Sequence, residues 1–277
     1  MAGWFPPAAG LPPPRRVATP RLAMLVAEGG KGQPVVFLHG LGWDHTLWNP
    51  TLARLAPRHR VVAADTRGHG GSDAPPGPYG IAQFAEDWAA LLDALGVRGA
   101  CLVGLSQGGM VAQALALARP DLVASLVLAS TACRSHPAAR ENMEARIAAA
   151  EREGPAAAAE VAARSIFSEG WRAANPEALR RFLAWRTAMP MAPLNEAVRA
   201  AYGFDLRDRL PGLAVPTLVV AGAADTLTPP ANSEEIAALI PGAALRLIPE
   251  AGHILPVEQP AAFAALLDGF LARHHPA

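Results

Sequence analysis

Ser106 lies in a glycine-rich stretch, Gly-Leu-Ser-Gln-Gly-Gly at residues 104–109, which constrains the fold more than any other part of the sequence. An apolar run typical of a buried strand precedes it, and an apolar run typical of a helix follows it. Glycines two positions before and two after the serine permit a sharp strand-to-helix turn that projects the hydroxyl outward. The same residues could form a plain helix cap. The choice depends on whether the chain also supplies a base, an acid and an oxyanion-binding site.

The surrounding sequence alternates short apolar runs with segments of helical spacing. This alternation predicts right-handed crossovers and an α/β fold with a mostly parallel central sheet flanked by helices. After a glycine turn near residue 30, the predicted strands occupy residues 35–38, 60–65, 100–105, 123–129, 216–222 and 244–249.

The alternation is interrupted between residues 133 and 208. This segment is rich in Ala, Arg and Glu, has helical spacing and contains no strand-like run. We expect a helical cap here, inserted after the sixth core strand, with residues 17–132 and 209–277 forming the core. Residues 1–16 are rich in Pro and Gly and predict a poorly ordered or surface-lying arm.

The amino-acid composition restricts the kinds of molecule that the protein can be expected to bind. The 24 basic and 24 acidic residues balance, and no basic block is interleaved with aromatics, so we expect no nucleic acid and no membrane as partner. The start of the chain does not resemble a signal peptide, and the two cysteines suit neither a disulfide framework nor a thiolate metal site. We therefore expect a cytoplasmic protein that binds a small molecule and needs no metal and no cofactor. The sequence is compatible with a homo-oligomer. His274 and His275 are expected to form a solvated tail.

Two further polar residues follow the last two predicted strands. A serine hydroxyl becomes a good nucleophile when a neutral imidazole accepts its proton and a carboxylate orients that imidazole. His253 follows the last strand, and Asp225 follows the strand before it. Because ligands bind outside the carboxyl ends of parallel strands, Ser106, Asp225 and His253 are predicted to converge as nucleophile, acid and base. Residues 130–134 contain no competing acid.

Backbone donors for an oxyanion are predicted at Leu41 and Gln107. Leu41 follows His39 and Gly40, and Gln107 follows the nucleophile, so both N–H groups could point at one position in front of Ser106. For His39 itself, hydrogen bonding that shapes the loop is favoured over catalysis.

Five motifs together resemble the alpha/beta-hydrolase fold family over residues 34–272. They are HGLG, DTRGHGGSDAP, GLSQGGM, PTLVVAGAAD and AGHILPVEQP. Residues 65–79 and the tail around His253 are most similar to 3-oxoadipate enol-lactonases. The resemblance implies hydrolysis of a carboxylic ester or lactone through a Ser106 acyl-enzyme, and a structural turn containing Asp65, Arg67 and His69.

The resemblance also suggests substrate contacts. The anionic charge of an enol-lactone needs a cation, for which Arg134 and Arg186 are candidates, although a solvated surface position is favoured for Arg186. Trp171 and Trp185 are candidate contacts in the cap. Phe182, Trp185 and Met189 share one helical face, for which core packing is favoured over substrate contact. A cap lined by such residues predicts a small, enclosed, apolar pocket.

Two alternatives stay open. Hydrolases that cut carbon–carbon bonds of ring-cleavage products typically carry Trp after the histidine, where this chain has Ile254. A noncatalytic small-molecule receptor on the same fold could retain the three polar residues. Dehalogenases and epoxide hydrolases are excluded, because they need a carboxylate nucleophile at position 106.

Overall fold

A computed structural model of the protein describes residues 3–135 and 137–276. Its centre is an eight-stranded sheet with strand order β1-β2-β4-β3-β5-β6-β7-β8. The first two strands pair antiparallel and the other six run parallel. The predicted mostly parallel α/β sheet is therefore confirmed. The strands are β1 (Arg15–Ala18), β2 (Ala23–Gly29), β3 (Pro34–Leu38), β4 (Arg60–Ala64), β5 (Ala100–Leu105), β6 (Val123–Ala129), β7 (Thr217–Gly222) and β8 (Ala244–Ile248).

Helices cover both faces of this sheet. Side chains alternate along each strand, so that Val36 of β3 packs into the core on one face while Phe37 packs into the core on the other. Strands β5 and β7 are buried throughout, which explains why they are continuous apolar runs. The helices of the core are α1 (Asn49–Leu55), α2 (Ile81–Ala94), α3 (Gln107–Ala118), α9 (Pro230–Leu239), α10 (Leu255–Glu258) and α11 (Pro260–His274).

Five helices lie between β6 and β7, and we call them the helical insertion. They are α4 (Pro137–Glu153), α5 (Pro155–Ile166), α6 (Glu169–Ala174), α7 (Pro176–Thr187) and α8 (Met191–Arg199). Three of them begin with proline, whose fixed φ and missing N–H suit the first turn of a helix. Within the described residues, no helix combines the length and apolar character that crossing a bilayer requires.

The N-terminal segment is docked by a tryptophan. Trp4 is buried, its ring centroid lies 5.3 Å from that of Trp43, and its backbone N–H donates to Thr46 Oγ1 at 3.1 Å. The sequence did not predict this contact, since a single aromatic residue in a Pro-rich segment gives no periodic signal. Strand β1 also begins at Arg15, two residues before the predicted start of the core.

The expectation that His274 and His275 form a solvated tail was wrong for His275. His274 is exposed, but His275 is buried and its Nε2 lies 2.7 Å from the Ser125 hydroxyl on β6. The residue that follows α11 thus contacts a strand 150 positions earlier in the chain, and no local sequence pattern reveals this.

Candidate active site

Ser106 connects β5 to α3 with a strained backbone. Its φ of 54° and ψ of −120° fall in a region that residues other than glycine rarely occupy. Its N–H donates to Ala129 O at 2.9 Å, and Thr131 Oγ1 donates to its carbonyl at 2.6 Å. Neighbouring groups on and after β6 therefore hold the turn in the conformation expected of an elbow.

Close packing explains the two flanking glycines. A Cβ at Gly104 would lie 2.5 Å from the Gly108 carbonyl oxygen, and a Cβ at Gly108 would lie 2.3 Å from the Leu38 carbonyl oxygen. Both distances are well below van der Waals contact. Any larger residue would force β5, α3 and β3 apart, and so the spacing seen in the sequence has a mechanical cause.

Asp225 and His253 lie together beyond the ends of β7 and β8. The carboxylate oxygen Oδ2 of Asp225 lies 2.8 Å from His253 Nδ1, and both residues are buried. A carboxylate can only accept, so Nδ1 carries the proton and a neutral His253 has Nε2 free as an acceptor. The Ser106 hydroxyl, at the end of β5 on the same sheet edge, forms no hydrogen bond with a described residue.

The Asp225 carboxylate is held ionised by its surroundings. Oδ1 accepts the N–H groups of Leu227 and Thr228, each at 2.9 Å, and Oδ2 accepts the Thr228 hydroxyl at 2.8 Å. Burial acts to raise the pKa of Asp225, but the hydrogen bond and charge of His253 and the Thr228 donors outweigh it and lower the pKa below its usual value. Thr228 was not predicted, because a hydroxyl three residues after an acid is a common pattern.

Glu258 fixes the loop that carries His253. Its buried carboxylate accepts the N–H groups of Gly252 at 3.0 Å and Ile254 at 3.2 Å, on either side of the histidine. It also accepts the N–H of Ser168 in the helical insertion at 3.0 Å. The His253 loop is thus joined to the insertion, and no sequence spacing indicates this role.

The predicted oxyanion loop lies beside Ser106. A Cβ at Gly40 would lie 3.2 Å from Ser106 Cβ, which shows how closely the loop approaches. Among the described residues, neither the Leu41 N–H nor the Gln107 N–H has an acceptor. Two backbone donors are therefore available near the serine, as an oxyanion site requires.

Two histidines shape this loop. His39 Nδ1 donates to Gly40 O at 2.8 Å and Nε2 accepts from Thr66 N–H at 2.9 Å, in agreement with the expected structural role. His69 Nε2 accepts the Gly42 N–H at 3.1 Å. Burial, together with nearby His39, lowers the pKa of His69 to about 3, so the ring stays neutral and keeps this acceptor.

The predicted substrate contacts occupy different environments. Trp171 is half-buried and stacks on Phe167 with ring centroids 4.2 Å apart. Trp185 is buried, with its ring centroid 5.3 Å from that of Trp43. Arg134 forms an ion pair with Glu235 at 3.0 Å, so its charge already has a partner, which argues against its predicted role in binding a substrate anion.

Arg186, for which a solvated position was favoured, lies instead against Gly42. Its guanidinium carbon would be 2.7 Å from a Cβ at that glycine.

Asp44, His45 and Asp65 form a buried group with the residue types of a metal site. Their atoms are engaged in hydrogen bonds: Asp65 Oδ1 accepts the N–H and Nδ1–H of His45, both at 2.7 Å, and Asp44 Oδ1 accepts Thr46 N–H at 2.9 Å. A nitrogen that carries a proton cannot ligate a metal. The group therefore acts as a hydrogen-bond network that joins the loops after β3 and β4.

Comparison with known proteins shows the family to which the fold belongs. A family model described as the alpha/beta hydrolase fold matches residues 33–260. The 3-oxoadipate enol-lactonase 2 of Acinetobacter baylyi is 33% identical over 242 residues, which cover 86% of this chain and 88% of that protein.

Two solved structures are similar over nearly the whole chain. The enol-lactonase from Burkholderia xenovorans has a TM-score of 0.87 and 31% identity, with coverage of 93% of this chain and 100% of that chain. A thermophilic esterase from Thermogutta terrifontis, solved with malate bound, has a TM-score of 0.88 and 31% identity, with coverage of 95% and 100%. The match of the family model to most of the chain shows that this protein belongs to the alpha/beta hydrolase fold family.

Proposed function

We propose that the protein hydrolyses a carboxylic ester or lactone of a small substrate through an acyl-enzyme on Ser106. His253 acts first as base and then as acid, and Asp225 orients it. The N–H groups of Leu41 and Gln107 bind the oxyanion.

The observation that carries this proposal is the buried Asp225–His253 pair, with Nδ1 bound at 2.8 Å. This bond leaves Nε2 as the proton acceptor on the same sheet edge as the Ser106 elbow. Hydrogen bonds between nucleophile and base are often long in structures without substrate and shorten when it binds. The absence of a Ser106–His253 bond among the described residues is therefore compatible with the role.

The steps follow from these positions. Ser106 Oγ attacks the carbonyl carbon while its proton moves to His253 Nε2, and the carbonyl oxygen becomes an oxyanion facing the two N–H groups. The C–O bond to the leaving group then breaks, and the leaving oxygen takes the proton from His253. Water repeats the sequence on the acyl-enzyme, giving its proton to His253 and releasing the acid as Ser106 Oγ regains a proton. For a lactone, the leaving hydroxyl stays attached to the acyl group.

We also propose that residues 133–208 act as a cap over a core of residues 17–132 and 209–277. Gln107 Nε2 donates to Ala197 O of α8 at 2.6 Å, and the His253 N–H donates to Ile166 O of α5 at 3.0 Å. Contacts from the insertion thus reach residues next to the nucleophile and the base itself. A cap tied to both would exclude water and restrict substrates to small ones.

Relatives support the ester or lactone substrate. The relatives named above are enol-lactonases and an esterase, and the arrangement of Ser106, His253 and Asp225 is suited to cleave lactones and esters. Serine also fits this chemistry because it forms an ester intermediate that water can cleave.

Turnover of p-nitrophenyl acetate and a small lactone, followed by intact mass after a fluorophosphonate, tests the proposal. We expect hydrolysis and a single adduct on Ser106, both lost in Ser106→Ala. The control Ser165→Ala removes a half-buried hydroxyl on α5 that donates to Val161 O at 2.9 Å, and should behave like the unmodified chain. Labelling without turnover of any ester or lactone would favour the receptor or the carbon–carbon hydrolase instead.

A further inference from the structure

Trp4, near the start of the chain, packs against the loop that carries the proposed oxyanion donor Leu41. Its ring centroid lies 5.3 Å from that of Trp43 at an interplanar angle of 73°, the edge-to-face arrangement that aromatic pairs favour. Both tryptophans are buried. A buried indole removes a large apolar area from water, so this contact holds the two segments together more strongly than a small aliphatic contact would.

Trp43 is the last residue of the turn that presents Leu41. Its N–H donates to Gly40 O at 3.2 Å, and Gly42 has a φ of 66°, as the third residue of a type II turn does. Gly40, at the other end of the turn, lies against the nucleophile, since a Cβ there would be 3.2 Å from Ser106 Cβ. A displacement of Trp43 would therefore move the Leu41 N–H relative to Ser106.

The segment that carries Trp4 is fixed to the core by two hydrogen bonds. Trp4 N–H donates to Thr46 Oγ1 at 3.1 Å, and Asn49 Nδ2 donates to Pro6 O at 2.8 Å. Five of the twelve residues from 3 to 14 are proline, and a stiff chain loses less entropy when it docks. An arm fixed in this way holds the Trp4 ring in one place.

Trp4 also reaches the helical insertion. Its ring centroid lies 6.3 Å from that of Phe182 on α7 and 6.5 Å from that of Phe167. Phe167 follows Ile166, whose carbonyl accepts the His253 N–H at 3.0 Å. The arm thus contacts both the turn that presents the proposed oxyanion donor and the segment that is bonded to the proposed base.

We infer that Trp4 is a positioning residue, which holds the Leu41 turn in the geometry that binds the oxyanion. This inference rests on the proposed function of Ser106 and gives the N-terminal arm a part in it. Because Trp4 acts through Trp43, its loss should weaken binding of the transition state and leave substrate binding nearly unchanged. A tryptophan that only stabilised the fold would change the amount of folded protein, but not kcat per folded molecule.

The test compares Trp4→Ala with the unmodified protein on p-nitrophenyl butyrate. The concentration of folded sites is taken from complete labelling of Ser106 by a fluorophosphonate. We expect kcat to fall about 10- to 100-fold, the loss that follows a displacement of about 1 Å in a catalytic site, while KM changes much less. Trp4→Phe keeps an aromatic ring and should recover most of kcat.

Inhibition by 1-butaneboronic acid tests the oxyanion turn itself. Ser106 Oγ adds to the boron while its proton moves to His253 Nε2, and the tetrahedral anion that forms places an oxygen at the two backbone donors. The inhibition constant should rise in Trp4→Ala by about the factor by which kcat falls. An unchanged inhibition constant would overturn the inference, because the turn would then bind the oxyanion without Trp4.

Leu11→Ala is the matched control in the same arm. Leu11 lies against β2, where a Cβ at Gly29 would be 2.8 Å from Leu11 Cγ, so this variant loosens the arm at a different point. Its kcat and inhibition constant should equal those of the unmodified protein. Equal losses in Leu11→Ala and Trp4→Ala would contradict a specific role of Trp4. If Trp4→Ala does not fold, Trp4→Met keeps more of the apolar volume and takes its place with the same expectations.

The boronic acid also separates this inference from the proposed function, because its adduct needs the serine and the oxyanion donors but no turnover. An adduct weakened by Trp4→Ala, in a protein that hydrolyses no ester or lactone, would retain the positioning role and reject the hydrolase. Turnover and inhibition that are the same in Trp4→Ala and the unmodified protein would retain the hydrolase and reject the inference. No turnover and no adduct would reject both.

Discussion

Two buried histidine–aspartate pairs lie at the carboxyl edge of the sheet, on opposite sides of β5. Asp225 and His253 follow β7 and β8 and meet at 2.8 Å, while His45 and Asp65 follow β3 and β4 and meet at 2.7 Å. In both pairs the histidine contributes Nδ1. Distance and burial alone therefore do not distinguish a pair suited to catalysis from one that stabilises loops.

The remaining bonds of the two carboxylates differ. Besides the His253 ring, the donors to Asp225 come from its own turn, at Leu227 and Thr228. Asp65 accepts the backbone N–H of His45 and that of Gly71, both at 2.7 Å. Asp65 thus binds the backbone as well as the ring of its histidine, and so fixes the chain at His45 and not only the imidazole.

Two acids affect the pKa of His45. Burial acts to lower the pKa of His45, but the hydrogen bond and charge of Asp65, assisted by Asp44, outweigh it and raise the pKa above its usual value. A histidine that is already protonated cannot accept a proton from a serine. Asp65 and Asp44 thus both favour the protonated form of His45, the form that cannot serve as a base.

Among the variants considered, Asp225→Asn should cause the largest loss of activity. The amide would favour the wrong histidine tautomer, and kcat should fall by roughly 10⁴-fold, as in serine proteases with the same change. The unfolding midpoint should change little by comparison. Steady-state kinetics and urea denaturation check this result, with the exposed Asp208→Asn as control. Full activity in Asp225→Asn with loss of activity in Asp208→Asn would mean that the acid has been misassigned.

Asp65→Asn should show the opposite pattern. Removing one charge from a buried pair leaves the other uncompensated, which costs about 3–5 kcal/mol in the free energy of unfolding. We expect kcat per folded molecule to stay within a factor of about ten, because Asp65 contacts none of the proposed reacting groups. A loss of kcat as large as that of Asp225→Asn, without a loss of stability, would remove the distinction between the pairs.

The contribution of His45 to stability should depend on pH. The effect is smaller than that of Asp65→Asn, and its direction can be derived. Because the folded pKa of His45 is raised above 6.5, its contribution is fully present below pH 6.5 and is lost as the pH rises through the folded value. The difference in unfolding free energy between the unmodified protein and His45→Gln should therefore shrink from pH 6 to pH 9. The decrease should be about 1.4 kcal/mol for every tenfold by which folding strengthens proton binding at His45.

His59→Gln provides a control of opposite sign. Burial and the neighbouring Arg58 lower the pKa of His59, so the histidine costs stability as the pH falls through 6.5. The stability of His59→Gln relative to the unmodified protein should thus increase at low pH. The same slope in both variants would show that a general pH effect, not the Asp65 partner, controls stability.

The sequence could predict what depends on local spacing. The elbow at Ser106 follows from glycines whose close packing is encoded within five residues, and Asp225 and His253 follow from the ends of apolar strands. The parallel sheet follows from the same alternation. These patterns can be recognised in the sequence without knowledge of tertiary contacts.

The features that the sequence did not predict depend on contacts between segments that are distant along the chain. Trp4 is buried against Trp43, and Glu258 binds both the His253 loop and Ser168, but neither contact has a spacing that a pattern could detect. Arg186 was expected at the surface because an arginine on an amphipathic helix usually points to solvent. In the structure its guanidinium lies against Gly42 in the loop after β3, a contact that no local pattern indicates.

Thr228→Val should have the smallest effect on kcat. It tests the Thr228 hydroxyl, for which the Asp65 carboxylate has no counterpart among the described residues. Thr228 Oγ1 donates to Asp225 Oδ2 at 2.8 Å and lies 3.1 Å from His253 Nδ1, whereas the Asp65 carboxylate has no hydroxyl partner among the described residues. Valine keeps the shape and removes the donor, which should cost about 0.5–1.5 kcal/mol, or up to about tenfold in kcat. KM should be unchanged, because Thr228 acts through Asp225 and not on the substrate.

Thr228→Ser retains the hydroxyl and should restore kcat, which separates the hydrogen bond from the packing of the methyl group. The two variants are compared by kcat and KM on p-nitrophenyl acetate. Equal losses in both would indicate that the methyl group, and not the hydroxyl, positions the pair. An unchanged kcat in Thr228→Val would show that the Asp225–His253 pair needs no third side chain.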